Sequence, residues 1–169
     1  MRFALFTKLD PEENNEHIFS VFNSLKKNNI DFDIDSESYK LISKKFDDIS
    51  NFNFNPIKKL TNEYDYVVSI GGDGTILRSA NEIGKLSIPI IGLNRGRLGF
   101  LANSAIENFE SILEKLKESM FKISDRTIIQ VEFEGNIEYA LNEISISRKN
   151  TTSLTVSYTH LTLPTIVGV

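Results

Sequence analysis

The sequence contains no cysteine. That excludes disulfide bridges, thiolate nucleophiles and cysteine-held zinc. Histidine is nearly as scarce: His17 and His160 lie far apart, with no ligand spacing around either. His17 falls in a predicted amphipathic helix and reads as a solvated side chain. Long apolar runs are also missing. Nothing approaches the roughly 20 residues needed to cross a bilayer, so no membrane partner is expected. No secretory leader is legible, because Phe3-Ala4-Leu5-Phe6 is soon followed by Lys8 and Asp10. A cytoplasmic location is the default. Positive charge is not in excess either. A net charge of −4 argues against a broad nucleic-acid surface. It leaves room for a small anion held by a local cluster of amides and arginines.

What is present describes an ordinary globular chain. Its 169 residues are 40% hydrophobic and 25% charged, enough for one domain, or one domain plus part of another. The most informative stretch is Val67-Val68-Ser69-Ile70-Gly71-Gly72-Asp73-Gly74-Thr75-Ile76-Leu77. An apolar, β-rich run drops into three glycines around one aspartate. Ile76, Leu77, Ala80 and Ile83 then recur at helical spacing. Asp-Gly is a strong hairpin signal, but a hairpin needs alternating apolar residues on both sides, and the downstream side is helical. The stretch therefore predicts strand, glycine turn, helix. Such a turn lets a ligand approach the main chain, and the helix start offers unpaired N–H groups to an anion. Gly71, Gly72, Gly74 and Thr75 are the candidate phosphate cradle. This is not a P-loop, since no Gly-Lys-Ser/Thr follows, and it is not G-x-G-x-x-G. The bland alternative for Asp73 is an Asx-turn or a helix cap.

The remaining chain alternates strands and helices. Arg2 to Thr7 reads as a buried strand. Asp10-Pro11-Glu12-Glu13 is a helix start, followed by the stripe Ile18, Phe19, Phe22 and Leu25. Ile30, Phe32 and Ile34 alternate with Asp31, Asp33 and Asp35, which predicts a strand with one solvated face near a sheet edge. Leu41 to Ile49 is a helix candidate. Asn51 to Pro56 is a polar loop in which Phe52 and Phe54 are expected to anchor. Ile88 to Leu93 is the next strand, with Pro89 near its start. Ser104-Ala105-Ile106-Glu107 reads as a capping box before the apolar face Ile106, Phe109, Ile112, Leu113 and Leu116. After Ser124 the period becomes two, and Gly135-Asn136 predicts a turn with Tyr139 to Ser147 pairing back. The fold class is α/β: a Rossmann-like doubly wound parallel sheet over residues 1–124, followed by the start of an all-β second domain at 125–156. Ligands of such sheets bind at the carboxyl ends of the strands. The glycine turn and Asn94-Arg95-Gly96-Arg97-Leu98-Gly99-Phe100-Leu101 both fall there and are expected to face one crevice.

Gly71-Gly72-Asp73-Gly74-Thr75, then Asn94 to Leu101, then Ala140-Leu141-Asn142-Glu143-Ile144 resemble the successive motifs of NAD kinases of bacterial type. The resemblance runs from about Met1 to about Leu154. The first motif alone is shared with diacylglycerol, sphingosine and phosphofructo-kinases; the other two, in this order, are more specific. The family continues with Trp-Ala-Asp-Gly-like and Thr-Gly-Ser-Thr-like stretches that do not occur here. The reading is thus of a C-terminally truncated chain whose last segment, 157–169, is expected to be non-native.

The resemblance implies phosphoryl transfer from ATP or polyphosphate to the adenosine 2′-hydroxyl of NAD, giving NADP. A divalent cation, magnesium, is expected with the ATP. It implies that Asp73 is the general base and that Asp73, Gly74, Arg78, Asn142 and Glu143 meet the dinucleotide. A free aspartate is a weak base, so Asp73 serves only if the proton leaves late. Arg78 is placed in the first helical turn, where a cation is unfavourable, which suggests pairing with a substrate phosphate; a solvated arginine is the alternative. Period two puts Asn142 and Glu143 on opposite faces of a strand, so a bulge or strand end must redirect one of them. Phe100 is a candidate for base stacking, with core packing as its commoner fate. Arg95 and Arg97 are expected at the surface. The resemblance also implies a homo-oligomer at full length. Two other readings stand beside this one: a lipid kinase of the diacylglycerol type, and a nucleotide-binding fragment without turnover, since a chain of this extent is expected to be inactive alone.

Overall fold

The computed structural model describes residues 1–8, 16–45, 52–96, 99–102 and 104–141. The apolar run at the amino terminus forms β1 (Arg2–Thr7), followed by α1 (Glu16–Lys27), β2 (Asp31–Asp35), α2 (Ser36–Lys45) and the two-residue β3 (Pro56–Ile57). Then come β4 (Tyr66–Ile70), α3 (Asp73–Ile83), β5 (Ile90–Asn94), the two-residue β6 (Ser104–Ala105), a 3-10 turn (Ile106–Asn108) and α4 (Phe109–Lys117). β7 (Ile129–Phe133) and β8 (Asn136–Ala140) close the described chain. The first six strands make one parallel sheet, ordered β3-β2-β1-β4-β5-β6; the last two pair antiparallel in a sheet of their own.

The sheet is apolar on both faces because helices cover both. Phe3 and Leu5 of β1 pack toward α1 and α4, among Ile18, Phe22, Phe109 and Leu113. Their neighbours Ala4 and Phe6 point to the opposite face, with Val67, Ile57, Leu60 and the α3 residue Ile83. Alternation along one strand thus feeds two cores. Phe52 and Phe54 anchor the 52–55 segment: Phe54 lies 5.5 Å from both Phe22 and Phe32, and Phe52 lies 5.5 Å from Phe22. The chain turns back on itself between β1 and β4, and Thr7 pairs with Ile70 at their carboxyl ends. That is the topological switch point, where open α/β sheets form their crevice.

Several expectations are corrected. β2 does lie next to the short edge strand, but its acidic face is not solvated: Asp33 and Asp35 are buried. Burial is tolerated because both carboxylates are hydrogen-bonded. Asp33 accepts from the Asn55 N–H at 2.9 Å, Arg2 at 2.6 Å and the Tyr64 hydroxyl at 2.9 Å. Asp35 accepts from the N–H groups of Thr7 and Ser38, each at 3.2 Å. The Ser38 bond lets Asp35 cap α2, which therefore begins at Ser36 rather than Leu41. Ser104 is no helix cap. It pairs with Leu93 as part of β6, and the 3-10 turn intervenes before α4, whose first turn has no side-chain cap. The hairpin turn falls on Glu134-Gly135, since Phe133 pairs with Asn136 and the two residues between have φ of 50° and 78°. The helix start predicted at Asp10 and the hairpin residues after Leu141 lie outside the described residues.

Candidate active site

β4 carries Val67, Val68 and Ile70 into the core, and the chain leaves it at Gly71. The Gly71 N–H donates to the Leu93 carbonyl at 2.8 Å, which ties the turn to the end of β5. A Cβ at Gly71 would fall on the Thr75 hydroxyl, and its φ is +155°. Gly72 then serves as the N-cap of α3 without a side-chain hydrogen bond. Gly72 and Gly74 are exposed, and a Cβ on either would meet nothing within 4 Å. The first amides of α3 are therefore open to an approaching ligand at the positive end of the helix.

Asp73 is the first residue of α3. Its carboxylate does not face solvent freely. Oδ1 accepts from the N–H groups of Leu101 at 3.0 Å and Ala102 at 3.1 Å, and Oδ2 accepts from that of Phe100 at 3.1 Å. Those donors, Ala102 first and then Leu101, hold the carboxyl below its usual range. Neither an Asx-turn nor a simple cap describes this: the side chain spans from the first motif to the second. The two stretches do meet at one rim, as expected. Gly99 lets them approach, since a Cβ there would collide with the Asp73 carboxylate.

Two residues that sequence reasoning passed over build this junction. One is Gly99. The other is Asn94, the last residue of β5, which is only 6% exposed. Its Oδ1 accepts from the Gly96 N–H at 2.8 Å, and its Nδ2 donates to the Ala102 carbonyl at 3.4 Å. The Asn-x-Gly spacing of Asn94 and Gly96 is the signal that marks such an Asx-type turn.

Phe100 is 98% exposed. Core packing is thus not its fate, and its ring stands at the rim while its own N–H holds Asp73. Arg78 requires a correction. It lies in the second turn of α3, not the first, so the dipole no longer calls for an anion there. Its guanidinium already has protein partners: it donates to the Thr7 carbonyl at 2.8 Å and to Glu37 at 3.0 Å, and lies 3.7 Å from Asp35. A cleft of about 240 Å³ opens beside it, lined among others by Phe6, Glu37, Lys58 and Lys59. Arg95 is half-buried, and its Nη1 is 3.2 Å from Nε2 of His17. His17, so engaged, is not the freely solvated side chain expected. Arg97, Asn142 and Glu143 lie outside the described residues.

Comparison with known proteins follows the same lines. The family model described as the ATP-NAD kinase N-terminal domain matches residues 8–121. An NAD kinase of Christiangramia forsetii is 40% identical over 146 residues, covering 82% of this chain and 50% of that protein. One from Flavobacterium psychrophilum is 36% identical over 169 residues, covering 95% and 57%. The chain spans about half the length of the curated relatives it matches. The crystal structure of yeast NADH kinase complexed with NADH superposes with a TM-score of 0.63, at 19% identity, over 83% of this chain and 46% of that one. That last likeness establishes the fold.

Proposed function

This chain belongs to the NAD kinase family, and on that premise we propose that its protein transfers a phosphoryl group from ATP, or from polyphosphate, to the adenosine 2′-hydroxyl of NAD. The observation that carries the reading is the junction at the switch point: Asp73 of the glycine turn held by the amides of Phe100, Leu101 and Ala102. Phosphoryl transfer asks a protein mainly for positioning and charge stabilisation. The open amides of Gly72 and Gly74 suit phosphate, with the dipole of α3 adding about 0.3–1 kcal/mol; Gly71 and Thr75 shape that turn. Magnesium would enter with the ATP phosphates and neutralise charge there, and a phosphate-bound magnesium usually takes only one or two protein carboxylates. Among the described residues no three His, Cys, Asp or Glu side chains gather to hold a metal. NAD is assigned Asp73, Gly74, Asn142 and Glu143, with Phe100 stacking on its base, and Arg78 joins them by exchanging its Glu37 contact for a substrate phosphate. A homo-oligomer, and a second domain beginning near Asp125, belong to the same reading.

Asp73 is the general base of this scheme. Its amide donors favour the carboxylate form, so it is a weak base in the ground state. It works if the hydroxyl proton leaves late, after the phosphorus–oxygen bond has begun to form, and such help is typically worth about 10²–10⁴ in rate. The test is to incubate the intact enzyme, rather than this chain alone, with ATP, magnesium and NAD beside diacylglycerol, and to read NADP with an NADP-specific dehydrogenase. NADP is expected, and Asp73→Asn should lower turnover by about 10²–10⁴ while NAD still binds. Unchanged turnover in the variant would remove Asp73 from the mechanism. Phosphorylated lipid in place of NADP would overturn the reading as a whole.

A further inference from the structure

We propose that Asn94 is a positioning residue for the reaction: with the bare backbone of Gly99, its side chain sets the chain from Gly99 to Ala102 so that three amides take the Asp73 carboxylate. The inference rests on the functional reading above only for its kinetic consequence; its geometric content stands alone. Asn94 works from both ends of the turn. Its Oδ1 takes the Gly96 N–H as the chain leaves β5, and its Nδ2 reaches the Ala102 carbonyl where the chain returns. The same carbonyl accepts the Gly99 N–H at 3.0 Å. Ala102 is therefore fixed through its carbonyl by Asn94 and Gly99, and through its N–H by Asp73. Asn94 is buried at the end of a core strand, so its side chain is itself fixed. Gly99 acts by absence, since any Cβ would push the carboxylate off its donors. Neither side chain touches the reacting atoms. Both act through Asp73 and through the placement of Phe100.

Two variants separate this from a merely structural role. Asn94→Asp keeps the acceptor for Gly96 and loses the donor to Ala102. Gly99→Ala leaves Asn94 intact and attacks the junction from the other side. Amide hydrogen exchange, followed by NMR on the ¹⁵N-labelled protein, should be about tenfold faster at Phe100, Leu101 and Ala102 in both variants, as expected for one lost hydrogen bond, with the β1 and β4 amides unchanged. In the NAD assay each variant should lose about tenfold or more in kcat/KM. Neither should lose anything further when combined with Asp73→Asn, because residues acting through one group do not add. Unchanged exchange at the three amides, or losses that add fully in the Asp73→Asn background, would overturn the proposal. If the intact wild-type enzyme forms no NADP, the functional reading fails by itself, and the exchange experiment still decides the geometry.

Discussion

A carboxylate that accepts three backbone N–H groups is both oriented and kept ionised, and Asp73 has this environment without being buried. The neighbouring Phe100 presents the opposite case: its backbone is fixed, and its ring is left in solvent. An exposed ring contributes little to folding, so its consequence should appear in binding. Phe100→Ala is expected to raise KM for NAD by roughly 5- to 150-fold, the worth of stacking one base on an aromatic ring, while stability changes by no more than about 0.5 kcal/mol. Steady-state kinetics beside a thermal melt checks both; an unaltered KM would take Phe100 out of the NAD site. The motif around Asp73 was legible because glycines and an aspartate between a strand and a helix form an unusual pattern. Its tether was not legible. The donors lie 27 to 29 residues further on, and they are main-chain N–H groups, which any residue supplies. Phe100 shows the same limit, since a phenylalanine between Gly99 and Leu101 has no periodic pattern to tell core from rim.

Elements end where local geometry makes them end, and two helices here stop in the same way. α1 runs into Asn29 at φ 53°, with the Ile30 N–H donating to the Leu25 carbonyl at 3.0 Å; α4 runs into Ser119 at φ 56°, with the Met120 N–H donating to the Lys115 carbonyl at 2.8 Å. Both are Schellman caps, which want glycine or asparagine in the left-handed position. Asn29 suits its place, and Ser119 does not. Ser119→Gly should therefore stabilise the protein by about 0.5–1 kcal/mol. Urea unfolding followed by circular dichroism would show this as a higher midpoint with an unchanged slope; a lower midpoint would mean that serine makes a compensating contact. Long apolar-periodic elements such as β1, β4 and α3 were readable from pattern alone. Elements governed by tertiary pairing were not. Ser104 looks like a cap until Leu93 pairs with it as a strand. The aspartates of β2 alternate like a solvated face, yet a parallel sheet buries both faces, and the sequence does not display the partners that make buried acids tolerable. The Asp35 cap that starts α2 at Ser36 is local, but it was hidden by reading Asp35 as exposed.

At the scale of the whole molecule the sheet divides its work between its two ends. The carboxyl ends of β1, β4 and β5 bring the glycine turn, Asn94 and the 99–102 segment together. The opposite end is tied by Asp33, which links Arg2 at the start of β1 to Tyr64 and to the segment carrying Asn55. Topology of this kind was legible, because alternating strands and helices with short connections leave few arrangements. The tie at Asp33 was not, because it joins residues 22 to 31 positions apart, and Asp33 itself reads as one of a solvated row. It makes stability depend on pH. Burial pushes the Asp33 carboxyl up, but the Asn55 N–H, Arg2 and the Tyr64 hydroxyl together hold it below its usual value. Burial first, and then Asp33 itself, push Tyr64 up to about 12, so the phenol remains a donor throughout the acid and neutral range. A carboxyl lowered in the folded state binds its proton more readily when unfolded. Its contribution is therefore complete above the unfolded value of about 3.9 and is lost as pH falls through the folded value. Asp33→Ala strands the Tyr64 hydroxyl and the Asn55 N–H, and should cost about 2–4 kcal/mol at pH 7, with the half-exposed Arg2 adding little. Urea midpoints of wild type and variant should then converge as pH is lowered from about 4 through the folded value. A gap that stays constant over that range would show that the loss comes from packing alone and not from the ionised carboxylate.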